Sequence, residues 1–155
     1  SDRIESALRE RIPELESITV HIEPTKRDYF KVFVPLKATE GNYVVNDNIS
    51  NAKYFATVII ENGVVKNIGI SKLALRNKKF RGVEIAERLS ESGFTDIITP
   101  KIGEMTFGVL LRHGISIWRS ESKSLNANAK RFAGLRLRQI KKPTFEASWR
   151  KFKNE

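Results

Sequence analysis

Two side chains near the start of the sequence have the types and spacing of metal ligands. His21 and Glu23 alternate with Val20 and Ile22, so both side chains lie on one face of a predicted strand. An imidazole and a carboxylate are both zinc ligands. We therefore predict that His21 and Glu23 bind Zn²⁺ or another divalent cation, together with water or a carboxylate from a neighbouring subunit. The alternative is a surface histidine that binds nothing.

The rest of the sequence excludes several kinds of reaction centre. It has no cysteine, which excludes disulfides, thiol nucleophiles and thiolate-held zinc or iron–sulfur sites. The second histidine, His113, precedes Gly114 at a predicted helix end, where the helix dipole favours a cation without any further role. There is no phosphate-binding glycine loop, dinucleotide fingerprint or nucleophile elbow. We therefore expect a protein that is not an enzyme.

Hydrophobic periodicity and turn residues predict an α/β domain in the middle of the chain. The predicted elements are strand 30–36, strand 53–61, strand 64–70, helix 82–92, strand 94–99, helix 104–113 and strand 115–118. Asn62 and Gly63 are the residues of a type I′ hairpin turn between two of these strands. The alternation of strands and helices favours parallel pairing of the last strands, and residues 37–51 are predicted to be one long loop.

Both ends of the chain carry further patterns. Apolar residues at helical spacing predict a helix over residues 4–12, followed by a strand at 18–22. Beyond residue 120, helical spacing recurs twice, in the sets Leu125, Ala129, Phe132, Leu135 and Phe145, Trp149, Phe152. The second set lies among basic residues, so we expect it to dock on the chain's own body, on a second copy or on a membrane surface.

Charge is distributed unevenly along the 155 residues. The net charge is +10, and from Arg119 onward there are eleven basic and three acidic residues. We therefore treat residues 120–155 as a basic tail, whose expected partners are anionic lipid, an acidic protein or nucleic acid. No apolar run approaches the ~20 residues that a membrane-spanning helix needs.

Residues 1–24 resemble the end of the cytoplasmic domain of cation diffusion facilitator transporters. The matching runs begin with Arg3-Ile4-Glu5 and Ile12-Pro13-Glu14, and end with Val20-His21-Ile22-Glu23-Pro24. A helix followed by a strand ending in His-x-acid-Pro is typical of the last two elements of that family's ferredoxin-like domain. The resemblance implies that residues 1–27 are a remnant of such a domain, and that His21 and Glu23 help to bind cytoplasmic metal.

Residues 30–118 resemble the dinitrogenase iron–molybdenum cofactor biosynthesis family, which has a ribonuclease H-like fold. The matching runs are Lys31-Val32-Phe33-Val34-Pro35, Tyr54-Phe55-Ala56-Thr57-Val58, Gly82-Val83-Glu84-Ile85-Ala86-Glu87-Arg88-Leu89, Ile97-Ile98-Thr99-Pro100-Lys101-Ile102-Gly103 and Gly114-Ile115-Ser116-Ile117-Trp118. The resemblance implies a ribonuclease H-like mixed sheet, flanked by helices, over residues 28–119.

The second resemblance also implies a ligand pocket. Where the family has a metal-contacting His-Phe-Gly-Arg-like motif, this sequence has Asn48 at the histidine position and no glycine or arginine after it. Without that histidine or any cysteine, we do not expect the iron–molybdenum cofactor itself. We predict a pocket at the carboxyl ends of the parallel strands, formed by Asn48, Thr99, Lys101 and the backbone amides near Gly103. The alternative is an empty structural loop.

Taken together, the two resemblances predict a non-enzymatic regulatory, metal-sensing or subunit-contact module of a cation-efflux transporter. We expect a homodimer on the cytoplasmic side of the cell membrane, with a membrane transporter domain before it; a stand-alone chain would be cytoplasmic. One alternative is a metal-cofactor carrier of the nitrogenase cofactor biosynthesis family. Another is a nucleic-acid-binding domain that uses the basic residues of 71–81 and the tail.

Overall fold

A six-stranded open sheet forms the centre of the structure, a computed structural model that describes residues 28–75 and 79–146. The elements in chain order are β1 (Tyr29–Thr39), β2 (Asn42–Val45), β3 (Tyr54–Glu61), β4 (Val64–Lys72), α1 (Arg81–Glu91), β5 (Asp96–Thr99), α2 (Glu104–Arg112), β6 (Ser116–Arg119) and α3 (Leu125–Ala133).

The sheet is mixed. Its strand order is β4-β3-β1-β5-β6, with β2 paired to the far end of β1. The three strands β1, β5 and β6 run parallel, whereas β2, β3 and β4 form antiparallel hairpins. The predicted mixed α/β architecture and the parallel last strands are therefore confirmed, while the ribonuclease H-like assignment stays a prediction.

The helices cover both faces of the sheet. Helices α1 and α2 bury their apolar side chains against one face, around Phe33 and Ile97. Helix α3 packs on the opposite face, where Ala129 and Phe132 meet Val34 and neighbouring side chains of the central strands. No helix of residues 28–75 and 79–146 is long and apolar enough to cross a membrane.

The sequence-based elements differ from the structure in two places. Residues 37–51 were expected to form one loop, but β1 continues to Thr39 and turns back through Gly41, with φ +78°, into β2. Leu135 was placed on the apolar face of a helix, but α3 ends at Ala133 and Leu135 lies beyond it, 83% exposed, with φ 58°. The hairpin turn at Asn62 and Gly63 is as predicted, because both residues have positive φ.

Much of the predicted basic tail lies against the sheet. Besides α3, the segment after it buries Leu137 and Ile140. The Ile140 amide donates to the Ile117 carbonyl at 2.8 Å, so this segment covers the edge of β6. The predicted N-terminal helix and strand, with His21 and Glu23, lie outside the described residues, as do Trp149 and Phe152.

The contact between α1 and α2 depends on a glycine. A Cβ atom placed on Gly82 would lie 2.2 Å from Oγ1 of the buried Thr106. Substitution Gly82→Ala should therefore lower the free energy of unfolding by about 1–3 kcal/mol, the usual cost of overpacking. Urea denaturation measures this loss. Adding Thr106→Ala should recover part of it, because the colliding oxygen is removed.

Gly108 provides the matched control for this prediction. It lies in the interior of α2, and a Cβ atom there would meet nothing within 4 Å. Gly108→Ala should leave stability unchanged or raise it by up to about 1 kcal/mol, because alanine is the better helix former. Equal stability of the Gly82→Ala and Gly108→Ala variants would contradict the close contact.

A second prediction concerns the fully buried amide of Asn128 in α3. Its Nδ2 donates to the carbonyls of Ser122 and Ser124 at 2.8 Å each, and its Oδ1 accepts from the Glu121 amide at 2.9 Å. Asn128→Ala should cost about 2–3 kcal/mol of unfolding free energy, because these groups lose their partners in a buried place. Asn126→Ala, at an exposed position of the same helix, should cost far less.

Candidate ligand site at the carboxyl edge of the sheet

The loop after β2, residues 46–52, crosses the carboxyl edge of the sheet and is held by its own side chains. Asn46 Nδ2 donates to the Asn48 carbonyl at 2.8 Å and to Oδ1 of Asn51. Asn48 Oδ1 accepts from Ser50 Oγ at 2.7 Å and from the Asn51 amide at 3.2 Å. We call residues 46–52 the asparagine loop. The predicted pocket residue Asn48 thus uses its oxygen to shape this loop.

Arg81, the first residue of α1, fastens the asparagine loop to that helix. Its Nε donates to the Ser50 carbonyl at 2.9 Å, and one terminal nitrogen donates to the Ala52 carbonyl at 3.0 Å. The guanidinium is only half-buried, and it has five N–H donors, so it keeps donors for a ligand. Arg81 was not predicted as a site residue, although an arginine before Gly82 at a predicted helix start was a usable signal.

The first turns of α1 and α2 meet at this edge. Gly82 is the second residue of α1, and it contacts Thr106, the third residue of α2. Neither helix has a side-chain N-cap, because Phe80 and Gly103 occupy the cap positions. The positive ends of two helix dipoles therefore lie close together, an arrangement that favours an anion.

The connection from β5 to α2 carries the other predicted pocket residues. Thr99 is fully buried, and its hydroxyl donates to the Lys101 carbonyl at 2.9 Å. This hydrogen bond stabilises the turn between β5 and α2. Lys101 is exposed and forms a parallel bridge with Asn48. The structure therefore brings Asn48 and Lys101 side by side, while Thr99 lies beneath the surface.

Residues 143–146 cover Gly103, the last predicted pocket residue. Thr144 binds Ile102 in both directions, because its Oγ1 accepts from the Ile102 amide at 2.7 Å and its own amide donates to the Ile102 carbonyl at 2.9 Å. The ring of Phe145 lies over Gly103, 2.8 Å from where a Cβ atom would stand. The open part of the site is thus on the side of Arg81 and the asparagine loop.

Charges of both signs surround this open part. The cations are Lys79, Lys101 and the half-buried Arg81, and the acids in the same loops and first helical turns are Asp47, Glu84 and Glu104. Within residues 28–75 and 79–146, no three His, Cys, Asp or Glu side chains are grouped so as to hold a metal ion. The arrangement suits hydrogen bonding to an anion rather than coordination of a bare cation.

Known structures share this architecture. A protein provisionally named a dinitrogenase, from Methanocaldococcus jannaschii, aligns with a TM-score of 0.58 at 18% identity, over 73% of this chain and 96% of that one. The apo form of the orange protein from Desulfovibrio gigas gives 0.59 at 16%, over 74% and 96%. A provisionally named NifB protein from Thermotoga gives 0.59 at 20%, over 76% and 99%.

The chain has the fold of these proteins. This agrees, at the level of fold, with the expectation from the second resemblance. No protein-family model and no curated protein matches the sequence. None of these similar structures supports the predicted relation to cation-efflux transporters. The residues that suggested that relation lie outside the described part of the chain.

The tie between Arg81 and the asparagine loop leads to a third prediction. Arg81→Met removes two hydrogen bonds to loop carbonyls, so it should cost about 1–3 kcal/mol of unfolding free energy. Amide hydrogen exchange across residues 46–52 should become faster. Arg136→Met, at an exposed position after α3, is the control and should leave both measurements unchanged. Unchanged amide exchange in the Arg81→Met variant would contradict the prediction, because it would show that the asparagine loop is stable without Arg81.

Proposed function

We propose that this chain is a non-catalytic carrier that binds an anionic metal-containing cofactor, or its oxoanion precursor, at the carboxyl edge of the sheet. The observation that carries the proposal is the contact of two uncapped helix N-termini at Gly82 and Thr106, beside Arg81 and Lys101. The cargo would sit between the asparagine loop and the first turn of α1.

The chemistry of the donors determines how such a cargo is held. The chain has no cysteine, and Asn48 replaces the histidine of the resembled family, so thiolate and imidazole coordination is not offered here. Backbone amides, a guanidinium and an ammonium group instead donate hydrogen bonds to oxygen or sulfur atoms at the surface of an anion. Binding of this kind is reversible and weakens with salt, which suits delivery rather than permanent storage.

The structural likenesses support this proposal over the efflux module. They include proteins provisionally named a dinitrogenase and a NifB protein, and an orange protein solved in its apo form. The efflux interpretation depends on His21 and Glu23, and it stays a prediction together with the predicted homodimer and location. The absence of enzymatic activity likewise stays a prediction.

Titration with tetrathiomolybdate, a coloured dianion of molybdenum and sulfur, tests the proposed function. We expect saturable binding of one anion per chain, followed by its visible absorption or by calorimetry. Arg81→Met and Lys101→Met should each weaken binding by roughly tenfold, the equivalent of one charge-assisted hydrogen bond of about 1.4 kcal/mol. Raising the ionic strength should weaken binding further.

Lys66→Met supplies the control, because Lys66 is an exposed cation on β4, an edge strand that contributes no residue to the proposed anion site. It should bind the anion as the unchanged chain does. Molybdate, which has the same charge but oxygen atoms, should compete for the same site. Failure of both anions to bind, or equal weakening by Lys66→Met, would refute a specific site at the carboxyl edge.

A further inference from the structure

A second concavity lies away from the carboxyl-edge loops, beside α1. It has a volume of about 260 Å³ and lies between α1 and the segment that leaves β4, over the middle of β1 and the start of β3. It shares no lining residue with the asparagine loop or with residues 99–103. The proposed carrier function therefore does not account for it.

Three aromatic rings and several aliphatic side chains form the apolar walls of this pocket. The rings of Phe33 and Phe55 stack at 5.1 Å between centroids with an interplanar angle of 18°. Phe94 meets both rings edge-on, at 5.8 Å from Phe33 and 6.5 Å from Phe55. Leu73 and Leu89 complete the walls from the loop and from α1. Flat aromatic rings are well accommodated by such stacked and edge-on surroundings.

The mouth of the pocket carries positive charge. Lys72 and Arg88 both line it and are both exposed. Arg88 is positioned by a hydrogen bond from Nη1 to the Ala74 carbonyl at 2.6 Å, which also holds the loop against α1. Its ion pair with Glu84 is long, at 3.8 Å, and partly exposed, so it neutralises the mouth only weakly.

A third cation lies outside the lining of the pocket, against two of its wall residues. Lys31 Nζ lies 4.6 Å from the centroid of the Phe94 ring and donates to the Ser92 carbonyl at 2.7 Å. Both Phe94 and Ser92 line the pocket. The cavity therefore combines an apolar interior that includes aromatic rings with a cationic mouth, which complements a ligand that has an apolar ring body and an anionic group.

We propose that this pocket binds a small aromatic carboxylate. The ring system lies in the cavity against Phe55, Phe94 and the leucines, and the carboxylate stays at the mouth, where Lys72 and Arg88 donate hydrogen bonds to it. A cavity of about 150 Å³ suffices for benzene in another protein. The larger volume here accommodates a ligand of two fused rings. This site is independent of the carrier function and is unaffected if that function fails.

Isothermal titration of the whole chain with 2-naphthoate tests the proposal. We expect saturable binding that tetrathiomolybdate does not displace. Lys72→Met should weaken it by roughly tenfold, because it removes one charge-assisted contact without disturbing a wall. Ala74→Trp, at an exposed lining position, should abolish binding by filling the mouth. Lys66→Met, an exposed lysine on the same strand but outside the pocket, should have no effect.

Two further ligands make the outcome decisive. Methyl 2-naphthoate, which lacks the charge, should bind at least tenfold more weakly than 2-naphthoate; equal binding would overturn the role of the cations. Decanoate, which has the charge but no ring, should also bind more weakly, and equal or tighter binding would overturn the aromatic preference. No binding of 2-naphthoate, or binding that Ala74→Trp leaves intact, would refute the site.

Discussion

The carboxyl edge of this sheet depends on how closely two helices can approach each other. Gly82 has no Cβ atom, so the first turn of α1 can touch Thr106 in the first turn of α2. A side chain at that position would separate the two helix starts and, with them, the positive ends of their dipoles. Arg81, the preceding residue, then reaches the carbonyls of the asparagine loop. One close contact thus determines where the amides, the guanidinium and the loop lie relative to one another.

Local sequence signals predicted the parts of the fold that local chemistry controls. Asn62 and Gly63 both tolerate positive φ, so the hairpin between β3 and β4 could be assigned without knowing the rest of the chain. The β2 hairpin was missed because its four residues lie among asparagine and glycine, whose loop preference is overridden by pairing with the far end of β1. Leu135 has the right spacing for α3, but the helix ends at Ala133, before reaching it.

The candidate site was predicted only in part, because its working contacts join residues distant in sequence. Lys101 and Asn48 were named and lie side by side, yet Thr99 is buried under them and Phe145 covers Gly103. Periodicity cannot show that a segment 42 residues further along the chain will bind the amide of Ile102. The same limit applies to the aromatic pocket, whose rings come from β1, β3 and the turn before β5. Contacts between residues so far apart in the sequence can be identified only from the three-dimensional structure.

The most direct test of the central claim is an amide NMR titration of the chain with tetrathiomolybdate. If the two helix starts form the anion site, the largest shifts will fall on the backbone amides of residues 81–83 and 105–106, with smaller shifts in the asparagine loop. Saturation should occur at one anion per chain. Shifts concentrated instead on the exposed cations Lys141 and Lys142 of the C-terminal segment, without saturation, would contradict the account, because they would indicate general attraction to a basic surface.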